Sequence, residues 1–172
     1  MMPDKVDQVL GLDVGGVLVD RAFHDSDTSF FGSRPMDTPG VKGFLEGVQR
    51  LAELFHERIF IVSKAGPRVE ELTRRWLSER GVSLVIPDER VIFVRHRSEK
   101  AEHCSIHGMS FFIDDRLDVL SSLPDTVRYK IWFTGGSGTQ PDVRPGRRVT
   151  QCRSWDATVR FVETEFRRNF RS

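Results

Sequence analysis

Five residues at four separate places in the chain have the types and settings needed to transfer a phosphoryl group: Asp13, Ser63, Lys100, Asp114 and Asp115. Asp13 closes the apolar run Val9-Leu10-Gly11-Leu12 and is followed by Gly15-Gly16 before apolar character resumes at Val17. A carboxylate at the end of a buried strand seldom serves packing, and the glycines beyond it let a ligand approach the backbone. Ser63 closes Ile59-Phe60-Ile61-Val62, Asp114 and Asp115 close Met109 to Ile113, and Thr134 closes Tyr129 to Phe133. Carboxylates from two strand ends, a hydroxyl and a lysine supply oxygen ligands for a hard cation such as Mg²⁺, a nucleophile, and donors for phosphoryl oxygens.

The elements that must position these groups alternate in type. Strand-like runs of β-branched and aromatic residues occur at Val9–Leu12, Arg58–Ser63, Val91–Val94, Met109–Ile113, Tyr129–Thr134 and, as a short edge strand, Val149–Cys152. Between them lie helical stripes. Val41, Phe44, Leu45, Val48, Leu51, Ala52 and Phe55 share one face, as do Val69, Leu72, Trp76 and Leu77 after Pro67. Ser98 is placed to cap a helix running to about His107, Leu117 to Leu120 make a short one, and Ser154 caps a last one bearing Trp155, Val159, Val162 and Phe166. The alternation predicts an α/β fold, doubly wound and Rossmann-like, with a mostly parallel sheet and helices on both faces. A single domain over residues 1–172 is expected, with a flap at about 20–39 and a Gly/Pro-rich loop at about 135–148 as its least ordered part.

The order of these motifs resembles the haloacid dehalogenase-like (HAD) hydrolase superfamily from Val9 to about Thr134, in a minimal-cap form without a separate cap domain. The resemblance implies that Asp13, in Leu12-Asp13-Val14-Gly15-Gly16, is a nucleophile that becomes aspartyl-phosphate. It implies catalytic roles for Asp13, Ser63 and Lys100, phosphate binding by Ser63, Lys64, Lys100 and Gly16, and a Mg²⁺ site of Asp13, the Gly15 carbonyl, Asp114 and Asp115, with Asp118 behind them. The activity implied is a phosphatase-type hydrolase acting on a phosphorylated small molecule or macromolecule. Dehalogenation has no need of the Asp114-Asp115 pair, and phosphonate cleavage in the family relies on a cap lysine for which the flap leaves no room.

Gly15 departs from the pattern, because phosphatases of the family carry a second Asp there that protonates the leaving group. Losing general acid-base help costs about 10²–10⁴ in rate, so either the activity is atypical or the protein binds a phosphorylated ligand or protein partner without catalysis. Asp20, His24, Asp25 and Asp27 in the flap are candidate replacement acids, His24 being the better donor near neutral pH. His103 and His107 stand four apart, a spacing that can seat a metal on a helix, but no third ligand accompanies them. They, His96, and the two cysteines, Cys104 and Cys152, read as surface or packing residues.

Composition excludes several classes. With 26 basic against 25 acidic residues the net charge is +1, so no global field favours nucleic acid, and Arg95, Arg97, Arg144, Arg147 and Arg148 read as a solvated face. No apolar run reaches the ~18 residues of a membrane span, and no signal-like leader is evident. Two cysteines do not make a disulfide framework, and a cytoplasmic location is expected. With no cap domain, selectivity would come from the flap, a large substrate or a second subunit, which leaves a homo-oligomer open.

Overall fold

Apolar residues on alternate positions of the strands face opposite ways, and the helices cover both sides of the sheet they form. A computed structural model describes residues 8–20, 31–138 and 140–169. The sheet has six strands: β1 (Leu10–Leu12), β2 (Ile59–Lys64), β3 (Val91–Val94), β4 (Phe111–Asp114), β5 (Tyr129–Phe133) and β6 (Val149–Cys152). Their spatial order is β3-β2-β1-β4-β5-β6, and every pairing is parallel. The α/β doubly wound architecture expected from the sequence is therefore present, and the predicted edge strand β6 is at the edge.

Leu10, Leu12, Ile59, Ile61, Phe111, Ile113, Ile131 and Phe133 point to one face, where they join Val48, Leu51 and Phe55 of α1 (Phe44–Phe55), Trp76 and Leu77 of α2 (Pro67–Glu79), and Val162 and Phe166 of α5 (Trp155–Arg168). Val62, Val94, Phe112 and Trp132 point to the other, against Cys104 of α3 (Glu99–Ile106) and Leu120 of α4 (Leu117–Ser122). A strand covered on both faces has no solvent side, which is why these runs are continuously apolar rather than alternating.

Local chemistry sets the helix ends. Pro67 occupies the first turn of α2, and Gly81, at φ 81°, takes the left-handed position just past it. Ser154 Oγ accepts from Ala157 N at 3.0 Å, the expected cap of α5. Ser98 does not cap α3: its own backbone is already helical, and no side-chain cap bond is made. Glu99 reaches back instead, its carboxylate accepting from Arg95 N at 3.1 Å, so the start of α3 is fixed by a carboxylate.

The expected flap departs and returns as paired chains. Asp20 N donates to Pro39 O at 2.9 Å and Val41 N to Leu18 O at 2.8 Å. The returning limb is fastened to α2 by Trp76 Nε1, which donates to Thr38 O at 2.9 Å, and by Arg80, which donates to Met36 O and Thr38 O. His24, Asp25 and Asp27 lie outside the described residues. Residues 140–148 carry no helix or strand. Among the described residues, no helix is long and apolar enough to cross a membrane.

Candidate active site

In the order β3-β2-β1-β4-β5-β6 the winding reverses between β1 and β4, and the space beyond the carboxyl ends of those two strands is where such sheets bind ligands. Leu12 pairs with Ile113, so Asp13 and Asp114 leave adjacent strands side by side, and Asp13 N donates to Ile113 O at 3.0 Å. The parallel pairing thus sets the two backbones side by side at the strand ends.

Lys100 enters from the first turn of α3. Its Nζ lies over the ring of Phe112, 5.8 Å from the centroid, and contacts Asp114 Oδ2 at 2.8 Å and Asp13 Oδ1 at 3.2 Å. Asp114 is fully buried, and its other oxygen, Oδ1, accepts from Arg116 N at 3.0 Å. Asp115 is buried beside them, and its backbone carbonyl accepts from Trp132 Nε1 at 3.2 Å. One carboxylate oxygen from each of Asp13, Asp114 and Asp115 lies within 4.8 Å of the others.

Asp13, Asp114 and Asp115 bring three carboxylates together in a buried place, and the Lys100 ammonium contacts two of them. Gathering like charges away from water is costly, and a divalent cation among them offsets the repulsion. The titration of the groups reflects it. Burial would lower the Lys100 ammonium, but the carboxylates of Asp13 and Asp114 outweigh that and hold it above its ordinary range. Burial pushes the Asp114 carboxyl upward and Asp13 adds to the push, against the opposing pull of Lys100. The donor set therefore fits a hard, oxygen-seeking cation. It is the cluster among the described residues able to hold a metal.

Gly15 and Gly16 differ sharply. Gly16 has φ +74°, and a Cβ there would stand 2.3 Å from Asp115 Oδ2, whereas Gly15 is not among the positive-φ glycines. The turn they make is tight: Leu18 N donates to Val14 O at 2.8 Å and Gly16 N to Val19 O at 2.8 Å. Trp155 Nε1 secures it from α5, donating to Val17 O at 2.8 Å.

Ser63 is buried near the end of β2; because Leu12 pairs with Ile61, it stands one residue further along its strand than Asp13 does along β1. Lys64 follows it, half-buried, as the last residue of the strand. Thr134 is drawn elsewhere, its hydroxyl accepting from Gln151 Nε2 at 3.1 Å. Asp118 pairs with the guanidinium of Arg116 through two bonds of 3.0 and 2.9 Å. His103 and His107 stack at 6.1 Å, and His107 lies on Phe60 at 4.6 Å, away from the carboxylates in a packing role. Burial pushes the Cys104 thiol up to about 12, so it is inert. Arg95 bonds to Ala65 O and Glu70, and Arg148 to Asp125 at 2.6 Å.

Sequence reasoning missed the wall beside the cluster. A cleft of about 300 Å³ opens next to Asp115 and Gly16, bounded on its far side by Gly136, Gly138, Gln140, Pro141 and Val143 of the Gly/Pro-rich loop. Ser137 binds that loop to Asp20 Oδ1, through its N at 2.9 Å and its Oγ at 2.7 Å. Asp20, a candidate acid by sequence, thus carries a structural bond. An Asp and a Ser so far apart give no local signal that they meet.

No protein-family model and no curated protein matches the sequence. Among solved structures, the fold is similar to the crystal structure of a haloacid dehalogenase-like family hydrolase from Xanthomonas campestris, with a TM-score of 0.63 and 13% identity over 96% of this chain and 98% of that one. At that identity the likeness establishes a shared architecture along nearly the whole chain, and activity has to be argued from the carboxylates and lysine at the switch point.

Proposed function

We propose that the chain is a Mg²⁺-dependent phosphohydrolase of the haloacid dehalogenase-like type that works through a phosphoryl-enzyme on Asp13. The observation that carries this reading is the buried cluster of Asp13, Lys100, Asp114 and Asp115 at the sheet's switch point. Asp13, Asp114, Asp115 and the carbonyl of Gly15 would hold the metal, which when bound supplies positive charge opposite the phosphoryl oxygens. Both Asp114 oxygens are engaged by Lys100 and Arg116 N, so a cation held there would share Asp114 with those two donors.

Lys100 fixes the rotation of the Asp13 carboxylate by holding Oδ1. An Asp13 oxygen attacks phosphorus as the bond to the leaving-group oxygen breaks, and the electron pair leaves with that oxygen. Ser63, Lys64, Lys100 and the turn at Gly16 are suited to hold the phosphoryl group. Because Gly15 carries no acid, the departing oxyanion takes its proton from solvent. Water then attacks phosphorus, the bond to Asp13 breaks, and phosphate and a proton are released. The free, buried Cys104 and Cys152 suit a reducing compartment such as the cytoplasm.

Turnover of an activated aryl phosphate with and without Mg²⁺ tests the reading. Activity should require the metal and vanish in Asp13→Asn, since an amide does not form the acyl phosphate. Equal turnover in wild type and Asp13→Asn would end the proposal. Gly15 favours a second reading, a protein that binds a phosphorylated ligand without cleaving it. Mg²⁺-dependent phosphate binding with no turnover of even the most activated esters would select it.

A further inference from the structure

We propose, resting on the phosphohydrolase reading, that the loop formed by Gly136, Ser137, Gly138, Gln140, Pro141 and Val143 is the wall of a leaving-group pocket that selects small phosphate esters of uncharged aromatic alcohols. Four observations support it.

The loop is held against the active-site turn. Asp20 Oδ1 accepts twice from Ser137, and Gly136 approaches so closely that a Cβ on it would stand 3.1 Å from Gly16 O and 3.4 Å from Asp20 Oδ1. A side chain there would lift the loop off the site.

The pocket mixes apolar and polar lining and adjoins the carboxylate cluster. Leu117, Pro141 and Val143 line it together with Arg116, Asp118 and Gln140, and Asp115 and Gly16 join it to the cluster. Val143 is 52% exposed, so its side chain is open to a ligand in the cleft that it lines. The volume of about 300 Å³ is at the lower end of small-molecule sites, roughly 300–1,000 Å³, and suits one ring with its phosphate.

The charge at the mouth is balanced. Arg116 is the cation among the described lining residues, and Asp118 meets its guanidinium fork with both oxygens. An additional anion on the leaving group would find that cation already matched.

The chemistry points the same way independently. With Gly15 where an acid would stand, the leaving oxyanion departs without protonation, and aryl oxides do this far more readily than alkoxides. The pocket and the missing acid therefore favour the same substrate class.

Calorimetry on the full chain with Mg²⁺ tests this without needing turnover, using methylphosphonate, phenylphosphonate and 4-carboxyphenylphosphonate as probes. Phenylphosphonate should bind about tenfold more tightly than methylphosphonate, and the added carboxylate should remove the gain. The phenyl-to-methyl ratio should fall to about one in Val143→Asp, at an exposed position that folding tolerates, and in Asp20→Ala, which releases Ser137. Equal affinities in wild type, or a ratio that survives both variants, would overturn the inference and leave the phosphohydrolase reading standing. Binding of none of the three probes would overturn both.

Discussion

Two adjacent glycines in the turn after β1 show how differently neighbouring residues are constrained. Gly16 combines φ +74° with an absent Cβ that would otherwise stand 2.3 Å from Asp115 Oδ2. Gly16→Ala meets a backbone penalty of roughly 1–2 kcal/mol and also pushes Asp115 aside. Mg²⁺ affinity should fall about tenfold or more, as when a ligand's support is removed; calorimetry giving wild-type affinity would show that Asp115 is not a ligand. Gly15 is free of the positive-φ constraint, so Gly15→Asp meets no left-handed backbone penalty and supplies the missing acid. Turnover of alkyl phosphates should then rise by up to about 10²-fold, with aryl phosphates changing less. A folded, Mg²⁺-binding Gly15→Asp with no gain on alkyl esters would favour the binding-only reading. Asp13 was legible in the sequence as a carboxylate closing a run expected to be buried, and Lys100 by its place at the start of the helix before β4 and in the order of motifs. The separate engagements of Asp114 and Asp115 were not, since both follow the same strand and only the placement of α3 decides which one Lys100 takes.

Among the elements, the helices were legible as stripes and their interdependence was not. Gly47 lies within α1, where glycine costs about 1 kcal/mol relative to alanine, yet an added Cβ would stand 2.3 Å from the ring of Trp155. Overpacking of this kind costs typically 1–3 kcal/mol, which offsets or exceeds the gain in helix propensity. Gly47 thus lets α1 approach the Trp155 ring at the start of α5, and Trp155 anchors Val17 through its Nε1. Gly47→Ala should lower the melting temperature and also weaken Mg²⁺ binding by disturbing the turn that carries Gly15 and Gly16. Thermal melts showing a more stable protein would mean that Trp155 yields to the methyl group without strain. The cap at Ser154 was legible because Ser followed by an apolar-striped run is a local signal, whereas Ser98 failed because the preceding turn already makes its backbone helical. The Asp20–Ser137 bond had no local signature, because it joins the flap's first residue to a loop that follows β5.

At the scale of the whole molecule, the alternation of strand and helix was readable, but the order of strands was not, and that order creates the site. Placing β1 beside β4 rather than at an edge brings Asp13 against Asp114, and with Asp115 gathers three carboxylates around Lys100 inside the protein. This concentration of charge makes stability depend on pH and on metal together. The Asp114 carboxyl is raised by burial above its ordinary value of 3.8. A group with a raised folded-state value contributes stability that is fully present below the unfolded value and is lost as pH rises through the folded one. Lys100 is also raised, from an ordinary value of 10.5, so its contribution stays constant until well above neutrality. Without metal, then, the cluster should become less favourable as pH climbs from about 4 toward neutrality. Mg²⁺ binds the ionised carboxylates, displacing the proton, and adds about 2.7 kcal/mol at a hundred times its dissociation constant. The gain in melting temperature from Mg²⁺ over a chelator should therefore be small near pH 4 and grow toward pH 7. Measuring the difference between the two melts at each pH cancels the titration of groups outside the cluster such as Asp118 and His107. A difference that is zero throughout, or largest at the acidic end, would show that the three carboxylates do not bind the cation.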